Sequence, residues 1–111
     1  MEVKRQDKGK VTIISFDGED QFYDSDPLWA AMQNVLLEGR YEILVDFAAI
    51  TYISSSVLGC LITMFREVKE KSGHLKIVNV QPGVSNVFVI TRLDRNIEMF
   101  NDEETALKSF G

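Results

Sequence analysis

The sequence predicts an α/β domain: a mixed, mostly parallel sheet of four to five strands packed with about four helices. Three observations predict it. Short runs rich in β-branched residues alternate with segments whose apolar residues recur at helical spacing. Turn and cap residues punctuate the boundaries. The chain has 111 residues, 45% of them hydrophobic, which suffices for one core and is the usual length of one domain, so residues 1–111 are read as a single unit.

Residues 10–16 (KVTIISF) read as a strand ending at Asp17-Gly18, and residues 2–7 as an antiparallel partner joined through Lys8-Gly9. Ser25-Asp26-Pro27 then opens a helix carrying Leu28, Trp29, Met32, Val35 and Leu36; Ser25 or Asp26 caps it, and Gly39 ends it. Residues 41–47 form a strand. Its run from Ile43 to Val45 is apolar at every position, as in a strand covered on both faces. Residues 54–72 form the longest helix. Val57, Leu58, Leu61, Phe65 and Val68 make its stripe, with Met64 beside it, and Gly73 is expected at the C′ position. Residues 75–80 read as a strand, and Pro82 opens a short helix with Val84, Val87, Phe88 and Ile90. Residues 97–100 are a last short strand. Asn101 or Asp102 then caps a terminal helix bearing Ala106, Leu107 and Phe110.

Composition narrows the function. A net charge of −5 repels phosphate backbones, which argues against direct nucleic-acid binding. The single cysteine, Cys60, permits no intrachain disulfide. No apolar run approaches the ~20 residues that span a bilayer, so no membrane insertion is expected. The N-terminal residues lack a signal-peptide core, and a cytoplasmic location is expected. Neither a metal-ligand cluster nor a cofactor-binding motif stands out, and no nucleophile–base pair suggests an enzyme.

The richest segment runs from Asp46 through Tyr52 to Ser54-Ser55-Ser56-Val57. A strand runs out, a loop follows, and three serines open the longest helix. One reading is capping, for which a single serine suffices. The other is a phosphate switch: an anion there meets unpaired N–H groups and the positive end of the helix dipole. The two are compatible. Asp46, at a strand end, also suits a receiver-type phosphoacceptor, with Asp17, Glu19 and Asp20 imitating the acidic pair. No strand-end lysine follows Val80, however. Cys60 reads as a core residue and His74 as a solvated loop residue. Phe22, Tyr23 and Tyr52 are loop aromatics, either packing at the core edge or anchoring an interface.

Residues 44–61 resemble the signature of the anti-sigma factor antagonist family, the STAS domain, in which a strand ending in Asp leads to Asp-Ser-Ser-Gly-Leu-Gly at a helix start. The resemblance extends to Gly18-Glu19, Pro82-Gly83-Val84, Leu93-Asp94 and the closing Glu103-Glu104-Thr105-Ala106-Leu107. It covers about residues 10–110. Here Ser54 stands for the motif's Asp, Val57 for its first Gly and Arg92 for a Gly before Leu93-Asp94; Leu58 and Gly59 match. The resemblance implies a regulatory module that binds an anti-sigma factor which is also a serine kinase of GHKL type, with a PP2C-type phosphatase as counterpart. It implies Ser55 as the phosphorylated residue, with Ser54 and Ser56 as alternates and local caps. Phe22, Tyr23, Tyr52, Ser54, Ser56 and Val57 are expected at the partner contact. A scaffold subunit, for example of a lipid-transport complex, and a small phospho-relay or hydrolytic enzyme are the alternatives.

Overall fold

The computed structural model describes residues 2–17 and 24–111. Its elements run β1 (Glu2–Lys8), β2 (Val11–Asp17), α1 (Asp26–Leu37), β3 (Glu42–Asp46), α2 (Ser55–Glu70), β4 (His74–Val78), α3 (Pro82–Ile90), a 3₁₀ turn (Leu93–Arg95), β5 (Met99–Phe100) and α4 (Glu103–Ser109). The five strands lie in sequence order, β1 antiparallel to β2 and the rest parallel. The α/β expectation holds, and the sheet is the mixed, mostly parallel one.

A sheet that grows in one direction through right-handed crossovers collects its connecting helices on one face. Here α1, α2 and α3 share a core with Ile14, Phe16, Ile43, Val45, Leu75 and Ile77. The opposite strand positions, Val11, Ile13, Leu44 and Val78, meet Ala106 and Phe110 of the α4 segment. β3 is therefore covered on both faces, as its unbroken apolar run requires. Lys76, only 6% exposed, also points to the α4 side. Its Nζ donates to the Ser109 carbonyl (3.1 Å) and hydroxyl (2.9 Å) and lies 4.7 Å from the Phe110 ring centre. The ammonium thus satisfies the end of α4 while its stem packs in the sheet.

Several boundaries differ from expectation for local reasons. The hairpin loop is Gly9-Lys10, since Lys8 pairs with Val11. Gly9 has φ +60° at the first loop position, the type II′ pattern. The side chain closing the start of α1 is Asp24, whose Oδ1 accepts from Asp26 N–H at 3.0 Å, and not Ser25 or Asp26. α1 ends as expected, with Gly39 at φ +77° and Arg40 N–H returning to the Val35 carbonyl. At the end of α2 the left-handed residue is Ser72 (φ +60°), not Gly73. Gly73 N–H returns to Val68 O at 2.7 Å and Ser72 N–H to Lys69 O at 3.0 Å, which completes a Schellman motif one residue early. Gly73 is needed for another reason. A Cβ there would lie 2.6 Å from the Tyr41 Cβ and closer still to its carbonyl oxygen. His74 opens β4 instead of lying in a loop, and its Nδ1 sits 2.9 Å from a Glu42 carboxylate oxygen.

Candidate functional site

The serine segment is held from beneath by apolar residues and from the side by hydrogen bonds. Phe47, Ile50, Ile53 and Val57 are buried, at intervals of three or four residues along the segment leaving β3. The Phe47 ring lies between Phe16 (5.9 Å) and Phe88 (6.0 Å). Phe47 N–H donates to Val78 O, and Ile50 N–H to Phe47 O, each at 2.9 Å. Asp46 Oδ1 accepts from Ala48 N–H (2.9 Å) and Asn79 Nδ2 (3.2 Å), while Gln81 Nε2 donates to Ala48 O (2.7 Å). The exit of β4 thus clamps the exit of β3. Asn79 does this from a left-handed backbone (φ +61°), a conformation that asparagine adopts more readily than most residues. Asn79 and Gln81 were not singled out from sequence. The available signal was an asparagine just past a strand, shortly before a helix-opening proline.

On this base the three serines take different roles. Ser54 is the N-cap: its backbone is extended and its Oγ accepts from Val57 N–H at 3.2 Å. Ser55 and Ser56 occupy the first two helical positions, and both are exposed. Ser56 is therefore not a cap. The first turn of α2 contains no acidic residue, so nothing on the helix itself offsets the positive end of its dipole. Tyr52 is 48% exposed just before the serines. Val57 corrects the expectation of a partner contact: it is fully buried, its branched side chain turned into the core among the α2 stripe. Phe22 and Tyr23 lie outside the described residues.

The remaining candidates have structural roles. The Asp46 carboxylate fixes the loop after β3, as above. Asp17 lies 3.1 Å from Lys4 Nζ; Glu19 and Asp20 fall outside the described residues. Cys60 is buried, which pushes its thiol up to about 12, with Glu67 adding a smaller push in the same direction. It is thus protonated and unreactive at neutral pH. Among the described residues no group of three histidine, cysteine or acidic side chains could hold a metal ion. Nor is any helix among them long and apolar enough to cross a membrane.

Comparison with known proteins agrees with this architecture. The anti-sigma F factor antagonist of Paenibacillus polymyxa is 20% identical over 108 residues, which span 96% of this chain and 92% of that protein. A STAS domain protein of Planctomyces limnophilus superposes with a TM-score of 0.87 at 17% identity, covering 99% of this chain and 98% of its own. The Bacillus cell-fate determinant SpoIIAA, solved in its phosphorylated form, gives 0.76 at 20% identity, with 96% and 97% covered. At these identities the structural likeness concerns the fold. The family model of the STAS domain matches residues 2–106, nearly the whole length, and the chain belongs to the STAS domain family.

Proposed function

We propose that this protein is an anti-sigma factor antagonist, a regulatory binding module without turnover of its own, switched by phosphorylation of Ser55. The observation that carries the reading is the placement of Ser55. It is exposed at the first position of α2, beside a serine that already caps the helix, in a turn without acidic residues. A phosphate there adds roughly −1.5 to −2 charges at neutral pH. The helix end tolerates such charge, so the fold persists while the surface changes sign locally. In the unmodified state the rim of Ser55, Ser56 and Tyr52 docks on an anti-sigma factor that is a serine kinase of GHKL type. After phosphorylation, desolvation of the phosphate and like-charge repulsion weaken that contact. A PP2C-type phosphatase resets the switch, in the cytoplasm, with no nucleic acid bound.

The two departures from the family motif are compatible with this switch. Ser54 supplies the cap that Asp supplies equally well. Val57 is turned into the core, so it adds nothing to the surface a partner would meet. The cognate kinase should label wild-type protein and fail to label Ser55→Ala; Ser54→Asp, which restores the family's acidic cap, should be labelled more. Undiminished labelling of Ser55→Ala would remove the assignment. No labelling of folded wild type would instead favour a constitutive scaffold.

A further inference from the structure

A second surface lies at the far end of α2. The C-terminal turns of α1 and α2 converge there on an open cleft of about 340 Å³, walled by Leu36, Leu37, Tyr41, Glu67, Glu70 and Lys71 together with Gln33. Leu37 is 83% exposed, the most exposed large apolar side chain among the described residues. Among these residues neither Glu67 nor Glu70 makes an ion pair, although Lys71 is four positions from Glu67. The last turn of α1 has no basic residue. Each helix end contributes roughly half a negative charge, so two carboxylates and two helix ends outweigh the single ammonium of Lys71.

We propose that this cleft is a docking surface for a basic, apolar-bearing segment of a partner protein. An apolar side chain would cover Leu36 and Leu37, and a neighbouring arginine or lysine would meet Glu67, Glu70 and the face of Tyr41. The chemistry of the occupant follows from the cleft: an acidic segment would face like charge, and a purely apolar one would leave the carboxylates desolvated without a partner. α2 has 16 residues, so the two surfaces lie about 24 Å apart. A partner on the cleft therefore does not need the serine end.

The test is titration of the labelled protein with a short synthetic peptide of mixed leucine and arginine, followed by amide nitrogen–proton NMR. The expected result is shifts concentrated at Leu36, Leu37, Tyr41 and Glu70. A leucine–glutamate control should leave them in place. The double variant Glu67→Gln/Glu70→Gln should bind roughly tenfold more weakly, as should wild type in high salt. Leu37→Ser should weaken binding at any salt concentration. Leu37 and Glu70 are exposed and Glu67 is half-buried, and both variants should leave the spectrum otherwise native. Ser55→Asp should bind the peptide like wild type, which keeps this surface separable from the phosphorylation switch. The proposal falls if the double variant binds unchanged, or if shifts spread equally to Glu103 and Glu104. It also falls if spermine alone reproduces the shifts, since the cleft would then be a small-cation site.

Discussion

The two ends of α2 are built on opposite plans. At the N-terminal end every charge is absent from the first turn, the cap is a neutral hydroxyl, and position is fixed by buried Phe47, Ile50, Ile53 and Val57. At the C-terminal end Glu67, Lys69, Glu70 and Lys71 crowd the last turns. There position is fixed by backbone contact, with Ser72 left-handed and Gly73 pressed against Tyr41. Both ends are rigidly placed, but only the N-terminal end is free of fixed side-chain charge, so that its charge is set by what is added there. That separation of rigid placement from local charge is what a covalent charge switch requires.

The largest expected effect breaks the C-terminal plan. Gly73→Ala sets a methyl group against the Tyr41 backbone and should cost about 3 kcal/mol, read by denaturant unfolding. A cost under 1 kcal/mol would mean that the Tyr41 backbone yields to the added methyl group. At the N-terminal end Ser54→Ala should cost about 1 kcal/mol through the lost cap. Ser55→Ala should stay within ~0.5 kcal/mol, because that hydroxyl caps nothing. Equal losses would contradict the division of roles among the serines. Smaller still, Ser72→Gly should stabilise by about 0.5 kcal/mol, since release from the left-handed cost is partly offset by glycine's greater freedom when unfolded.

The smallest effect compares a neutral cap with a charged one. Asp102 caps α4: its Oδ1 accepts from Thr105 N–H (2.8 Å) and its Oδ2 from Thr105 Oγ1 (2.9 Å). These bonds hold its carboxyl below the ordinary value of 3.8. A carboxyl lowered on folding favours the native state above its unfolded pKa, and that contribution disappears as pH falls through the lowered value. The stability gap between wild type and Asp102→Asn should therefore shrink on acidification below about 3.8. The gap for Ser54→Ala should stay flat across the same range.

Much of this plan is legible in the sequence. The apolar run of β3, the stripe of α2 and the serine cluster at its start are local patterns, and local patterns survive folding. What was hidden depends on contacts between distant segments. Gly73 reads as a helix terminator, yet its lack of a side chain answers to Tyr41, more than thirty positions earlier. Val57 is the converse case: the apolar stripe of α2 already includes it, and that stripe, not the match to a family glycine, decides that its side chain turns inward. Asn79 and Gln81 give only a weak local signal, polar residues between a strand and a helix-opening proline; the parallel pairing of β3 with β4 is what brings them to the loop they clamp. Ser25 and Asp26 satisfy the local preference for a cap, yet it is Asp24 whose side chain meets a free N–H at the start of α1.

The proposed switch is measured by the affinity of the anti-sigma partner for unmodified protein and for protein phosphorylated at Ser55, by titration calorimetry at low and physiological salt. Phosphorylation should weaken binding at least ~10-fold, with thermal stability unchanged. Equal affinity of the two forms, with phosphate verified on Ser55, would contradict it.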